Sequence, residues 1–504
     1  MLIENHSCIK EVKALCSKLR NADAEVAELV LRLDNSLLRF AQQINFLNRI
    51  RDIMDEDHRE IHVRTLNVLL GKLQSVVTIL RGLSKQTHDE NSLTTKKIQY
   101  AWKKDSLDKA IEEVVLWQTT ADQSYFLIMR MADHAVDNAL SEYDSDDDSS
   151  TAVSIRSAIR IRAGLQEEPL SSTNKRPGTG LTLPSTALES MEITAIPYCD
   201  GMLIARRAFS DRSTTTYILN RIRCLVTSRE EALKRNVRDL VRKLQHDEPH
   251  TFGLLQCKGC ILPSSRAPEE ITLVFRQPKG TSHPTSLRHI LLDPPTISLS
   301  QRIGIAKDIA KSVGYVHTFG FVHKNVRPES FIVFQSSNGL SGFLAGFEEF
   351  RQEEGWTLRR GDDAPTKNIY HHASRQGSNP QEDFVMQHDI YSLGVCLLEI
   401  GLWGSFVDYA SVQASPTLAT LLEMPSSVAA PQASAFLMQS GKEHLLSLAQ
   451  SQLPARMGDQ FTAIVRTCLT CLDVDNENFG DAAEFLDEDG IRVGARYIEK
   501  VSLG

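Results

Sequence analysis

The stretch from Tyr315 to Glu348 constrains the fold more than any other part of the chain. It reads YVHTFGFVHKNVRPESFIVFQSSNGLSGFLAGFE. Ahead of it, Ser298 is a helix-opening residue, and Ile303, Ile309, Val313 and Val316 fall on one helical face. That helix delivers the chain to the polar run His323-Lys-Asn-Val-Arg-Pro-Glu-Ser330. An apolar strand, Phe331 to Phe334, follows at once. A polar turn, Ser336 to Gly339, leads to a second apolar step, Phe343 to Ala345. The polar loop is thus fixed between a helix end and a β-hairpin.

This helix, loop and hairpin resemble the catalytic loop and magnesium loop of protein kinases, which that family writes H-R-D-L-K-P-E-N and D-F-G. His388-Asp-Ile-Tyr-Ser-Leu-Gly-Val395 is similar to the family's D-V-W-S-x-G. The resemblance implies that His323 and Phe347 pack beneath the loops. It also implies that Asp389 sits at a buried helix start and holds the loop backbone, with Gly394 as a second structural position. At the chemical positions this sequence departs from the pattern. Asn325 stands for the catalytic-base Asp, Ser330 for the metal-binding Asn and Gly346 for the main metal-ligand Asp; Arg327 replaces the loop Lys. An amide does not accept a proton as a carboxylate does, and glycine offers no side-chain oxygen to a hard cation. No catalytic residue is intact among His323, Asn325, Arg327 and Ser330, and no metal site is intact at Gly346, Phe347 and Glu348. No cofactor is expected, and binding of ATP and Mg²⁺ is in doubt.

The resemblance covers roughly residues 196–480. It implies a bilobal α+β domain with a small lobe at 196–283 and a large lobe at 284–504. Gly201 to Phe209 and Thr216 to Val226 read as strands. An active kinase would show G-x-G-x-x-G and a strand lysine here. The sequence has Gly201 alone, and Arg221 or Arg223 is the candidate stand-in for the lysine, though arginine is not an equivalent phosphate ligand. Ser228 to Gln245 reads as a charged helix whose Glu230 or Glu231 lacks the lysine partner. Strands at Leu254 to Leu262 and Ile271 to Arg276, a hinge at Pro278 and a short helix from Ser286 follow. The activation segment spans about 349–379, and its Tyr370-His-His-Ala-Ser374 lacks the anchoring glutamate. His371 and His372 read as surface residues. Asp389 to Gly401 is the buried central helix. Residues 411–434 are a loop insertion, helices near 442–452 and 461–472 close the lobe, and 481–497 is a helical tail.

Residues 1–135 are helical by pattern. A short helix spans Ile9 to Leu19. Val26, Val30, Leu33, Leu37, Phe40, Ile44 and Leu47 form one stripe. Leu66, Leu69, Leu73, Val76, Leu80 and Leu83 form a second, and Leu107, Ile111, Val114, Trp117, Ala121, Tyr125 and Ile128 a third. An antiparallel bundle is expected. The run LRNADAEVAELVLRLD, with QINFLNRI after it, is similar to N-terminal helical domains of filamentous-fungal proteins, some of them called HeLo or HeLo-like. That resemblance implies a prion-inhibition-type bundle capable of self-association and of membrane contact on activation. Residues 136–195 are acidic and then Ser-, Thr- and Pro-rich, and are expected to be a disordered linker with a short Arg-rich helix near 154–165.

The net charge of −8 argues against a general nucleic-acid binder, and nine cysteines do not form a secreted disulfide framework. With no secretory signal, a cytoplasmic location is expected. Cys257-x-x-Cys260 and Cys468-x-x-Cys471 read as buried thiols rather than one zinc site. Three functions stand open from these residues. The first is a signalling pseudokinase that binds proteins and regulates its helical bundle. The second is an active atypical Ser/Thr kinase, with Glu348 holding metal and Asp362 or Asp363 as base. The third is a membrane-acting cell-death effector restrained by the pseudokinase.

Overall fold

The computed structural model describes residues 181–476 and 479, apart from 200, 209–213, 224–229, 246–248, 264–269, 337–338, 353–360 and 413. It also describes 11–17, 29–30, 32–34, 37, 56–86 and 105–114. The chain divides into two compact units, Met1–Arg162 and Ala163–Gly504.

In the first unit, helix α1 (Glu56–Gln86) buries Leu66, Leu69, Leu73, Val76 and Leu80 at steps of three and four. The helical residues around it bury Val12, Cys16, Val30, Leu33, Leu37, Leu107, Ile111 and Val114. Ion pairs link the segments: Arg81 with Glu11, Lys72 with Glu113 at 2.9 Å and Arg32 with Asp108 at 3.0 Å. Exposed pairs of this kind add little stability each, so the unit is held by its apolar stripes. The expectations for Val26, Phe40 to Leu47, Trp117 to Ile128, 136–180 and the tail at 481–497 lie outside the described residues. Among those described, no helix is long and apolar enough to cross a membrane.

The second unit mixes α and β. A five-stranded antiparallel sheet has the order β1-β2-β3-β5-β4. Its strands are β1 (Glu192–Ala195), β2 (Met202–Ala208), β3 (Thr214–Arg223), β4 (Cys257–Ile261) and β5 (Glu270–Arg276). Helix α2 (Glu230–Lys243) lies against β4 and buries Val237, Leu240 and Val241. A second sheet joins β6 (Thr281–Ser286), β8 (Phe331–Ser336) and β9 (Gly339–Leu344), while β7 (Phe321–Val322) pairs with β10 (Arg351–Gln352). Helices α3 (Leu287–Leu292) and α4 (Leu299–Thr318) open on serine caps: Ser286 accepts from the His289 amide at 3.1 Å and Ser298 from the Gln301 amide at 3.2 Å. Helix α5 (Met386–Leu402) is buried along nearly its whole length, and α6 (Ala433–Met457) and α7 (Asp459–Leu469) enclose it. A Cβ on Gly394 would lie 2.8 Å from the Cys468 Cβ, so the contact between α5 and α7 requires glycine there.

The linker expected through residue 195 ends sooner. Leu183 N donates to Cys260 O at 2.7 Å, and Cys260 N donates to Leu181 O at 2.8 Å, extending the β4 edge. The chain then crosses the outer face of the sheet, where Leu183, Leu188 and Met191 pack on Ala205, Tyr217, Leu219 and Val274. It enters β1 at the opposite edge. Residues 181–195 are therefore a strap on the sheet. Three apolar side chains spaced through a Ser- and Thr-rich stretch are enough to hold it.

One buried ion cluster ties α3 to α5. Arg288, 0% exposed, donates to both Glu329 oxygens at 3.2 Å and to Glu399 Oε1 at 2.8 Å. It also donates to Ser405 Oγ at 2.6 Å and to the Tyr370 hydroxyl. Burial pushes the Glu399 carboxyl up, whereas Arg288 and Arg327 outweigh burial at Glu329 and hold it below its ordinary value. Replacing Arg288 by Met strands the buried Glu399 carboxyl without a counter-charge and leaves Glu329 with Arg327 alone. The expected loss is about 3–5 kcal/mol in urea unfolding; a loss under about 1 kcal/mol would show that the cluster is not a stabilising hub.

Candidate functional site

The polar loop is suspended from Asp389. This fully buried carboxylate accepts from His323 N at 2.7 Å, Lys324 N at 2.8 Å and His317 Nε2 at 3.1 Å. Burial alone would raise its pKa, but the hydrogen bonds and the facing His317 hold it below the usual carboxylate value. Burial drives His323 down to about 4, so the ring is neutral at physiological pH, and its Nε2 donates to Ala345 O at 2.8 Å. The same ring lies 4.9 Å from Phe347, which contacts Phe275 and Phe350. His323, Phe347 and Asp389 together form a buried support beneath the loop.

The remaining loop residues converge on Glu348. Asn325 Nδ2 donates to Glu348 Oε2 at 2.7 Å and to Gly346 O at 3.1 Å. From β3, Asn220 Nδ2 donates to Glu348 Oε1 at 2.6 Å, while its Oδ1 accepts from Phe347 N at 2.7 Å. A backbone group fixes each amide's orientation, so both present a donor to the carboxylate. Burial raises Glu348 to about 7, against its own backbone amide, Arg327, Asn220 and Asn325, which all favour the ionised form. Ser330 Oγ is spent on Asn325 O. Gly346 has φ +73°, and a Cβ there would sit 2.8 Å from Ser330 Oγ and 2.9 Å from Ser330 Cβ. The backbone at 346 therefore does not accept an aspartate without moving the loop. No carboxylate other than Glu348 faces this point among the contacts of Asn325 and Asn220.

Arg221 and Arg223, the candidate cations, lie elsewhere on β3. Alternation along the strand puts Ile218, Asn220 and Ile222, all buried, on the face opposite the strap. Arg221 and Arg223 fall on the other side, where Arg221 pairs with Glu270 at 3.2 Å and Arg223 is exposed. Neither reaches the loop, and the residue that does is Asn220. Period-2 reading of β3 carries that signal, and a search for a cation overlooks it.

The turn between β1 and β2 closes over the same point. A Cβ built on Gly201 would lie 3.4 Å from Glu348 Oε1, and Gly201 O accepts from Arg221 N at 2.8 Å. Cys199 Sγ donates to Glu329 O at 2.9 Å, and Ser286 Oγ donates to Pro197 O at 2.7 Å. Tyr198 stacks on His289 at 5.7 Å and meets Tyr409 at 4.8 Å. Burial pushes the Cys199 thiol up, so it acts as a neutral donor.

The other candidates are engaged apart from this site. Asp362 accepts from Ala364 N at 2.8 Å and Lys367 Nζ at 2.5 Å, and Asp363 accepts from Ser378 N at 2.8 Å. His371, expected at the surface, is half-buried, and burial takes it down to about 4. His372, also expected at the surface, is half-buried and packs on Tyr391 at 5.4 Å. Cys257, Cys260, Cys468 and Cys471 are buried free thiols, and no metal-binding cluster occurs among the described residues.

No protein-family profile matches the chain. Over 118 residues it is 30% identical to eukaryotic translation initiation factor 2-alpha kinase 1 of Rattus norvegicus. That stretch covers 21% of this chain and 18% of the kinase, so the likeness spans less than a fifth of the relative. The chain holds a region similar to part of a protein kinase.

The Glu348 environment sets a pH dependence. Its carboxyl titrates at an ordinary 4.5 in the unfolded chain and at about 7 when folded. Between those values the unfolded chain releases a proton that the folded chain keeps. The contribution of Glu348 to stability is therefore highest at low pH and falls as pH rises through about 7, by about 3 kcal/mol. Glu348→Gln does not titrate. The unfolding free energy of wild type minus that of the variant should fall by that amount between about pH 4.5 and pH 8; a flat difference would contradict a carboxyl held neutral by burial.

Proposed function

We propose that this chain is a pseudokinase: a kinase-like domain that works by binding other proteins, joined to a helical signalling module. The observation that carries the reading is Glu348 held at 2.6 Å by Asn220 and at 2.7 Å by Asn325. A kinase gains most of its rate from metal ions and charged groups placed around the transferred phosphoryl group. Here the strand position that should bring a cation brings an amide, and the loop position that should bring a base brings another. Both are used up on one half-neutral carboxyl. The β1–β2 turn rests on the loop through the bond from Cys199 Sγ to Glu329 O, which supports a turn folded down on the loop.

The competing reading, an atypical Ser/Thr kinase, needs Glu348 to hold metal and Asp362 or Asp363 to serve as base. Glu348 has both oxygens engaged. Asp362 caps a turn and pairs with Lys367, and Asp363 is bonded to the Ser378 amide. The likeness to a kinase supports the fold side of the proposal. The pairing with a helical unit supports a two-module protein that recruits or restrains partners, with ATP and Mg²⁺ playing no part.

The test is the melting temperature of the full chain with and without millimolar ATP, each with and without Mg²⁺. A site filled to a hundred times its dissociation constant would add about 2.7 kcal/mol. The proposal predicts a shift within about 1 °C in every condition and no phosphate transfer. A Mg²⁺-dependent rise of several degrees would overturn it and favour the atypical-kinase reading.

A further inference from the structure

Arg327 stands in the polar loop between Asn325 and Glu329. Among the described residues it makes no hydrogen bond and no ion pair. Its Nε is enclosed, yet the residue is partly exposed, so the guanidinium fork meets solvent at its terminal nitrogens. Burial works against its charge, and the fields of Glu329, Glu348 and Tyr409 outweigh burial, so it stays a cation.

The carboxyls around Arg327 are bonded to other groups. Glu329 accepts from Arg288 at 3.2 Å on each oxygen and from the Tyr409 hydroxyl at 3.2 Å. Glu348 holds Asn220 on one oxygen and Asn325 on the other. Asp362, whose charge Arg327 also feels, is held by Lys367 and by the Ala364 amide. His371, which Arg327 pushes down further, is neutral at physiological pH. Arg288 and Lys367 are thus spent on these carboxyls, and Arg327 is not. A half-enclosed guanidinium has lost water on one side and gained no bonded anion in return.

The planar fork fits a carboxylate by two parallel bonds. A phosphate monoester brings nearly two negative charges. It would set them beside Glu348, which is ionised about half the time near pH 7, whereas one unmatched cation balances a single charge. One partly exposed ion pair holds little on its own. The carboxylate must therefore be carried by a larger body that adds contacts elsewhere.

We propose that Arg327 is the recognition point for one Asp or Glu side chain of a partner protein. The choice of a protein rests on the protein-binding reading above and names the chemistry of what that reading would bind.

The experiment selects random phage-displayed peptides on the full chain. The tightest binders are then made with each Asp or Glu replaced in turn by its amide. One acidic residue should recur, and its amide form should bind the wild type about tenfold more weakly. Arg327→Gln should bind the acid and amide forms alike, because the pair no longer exists. Should that variant not fold, Arg327→Lys, which keeps the charge and loses the fork, should bind the acid form several-fold more weakly than the wild type does. Failure to select any binder, no recurring acid, or an acid whose loss costs the same in wild type and variant would overturn the proposal. Tighter binding of a phosphoserine form than of the Glu form would overturn it too. A Mg²⁺-ATP melting shift with the pairing intact would remove the pseudokinase reading and leave this site standing. Loss of the pairing with no such shift would do the reverse.

Discussion

The contact between Asn220, Glu348 and Asn325 sets the character of the second unit. Strand β3 and the polar loop come from sequence positions more than a hundred residues apart, and a single carboxyl side chain joins them. Each amide is oriented by a backbone partner, Phe347 N for Asn220 and Gly346 O for Asn325. Neither can rotate to relieve a changed neighbour without breaking that bond. Burial favours the neutral carboxyl and the two amides favour the charged one, and the balance falls near neutral pH. A buried polar group satisfied in this way rigidifies its surroundings, whereas one left half-satisfied costs stability.

Around this contact a few buried charges hold the scaffold. Asp389 fixes the backbone of the loop from α5, and Arg288 fixes Glu329 at the loop's other end. Between these two anchors Ser330 Oγ bonds to Asn325 O, and Asn325 Nδ2 bonds to Gly346 O and Glu348, so the loop also carries side-chain bonds of its own. The β1–β2 turn meets the same region: Cys199 bonds to Glu329 O, and Gly201 lies beside Glu348.

Much of this is legible in the sequence where pattern and chemistry point the same way. The long helix before His323 follows from periodicity, the hairpin after Ser330 from two apolar runs around a polar turn, and the buried helix from Asp389 from the resemblance to kinases. Arg221 and Arg223 attract attention because a phosphate site calls for a cation. Strand alternation puts them on the far face and puts Asn220 on the near one. The strap at 181–195 escapes notice because Leu183, Leu188 and Met191 are sparse in a Ser- and Thr-rich stretch, and composition averages over them. The contact between Cys199 and Glu329 has no sequence signal, since it depends on how a turn folds across a cleft. Gly346 reads in the sequence as a lost ligand; its positive φ and the nearness of Ser330 make it a backbone requirement as well.

The central claim is that the cleft is closed by the protein's own side chains. The most direct test is hydrogen exchange at the Phe347 amide, which is buried and donates to Asn220 Oδ1. A closed cleft predicts that Phe347 exchanges as slowly as the β8 core amides such as Val333, and that Mg²⁺ with ATP leaves its rate unchanged. Exchange at the rate of an open loop, or a rate altered by Mg²⁺ and ATP, would contradict it.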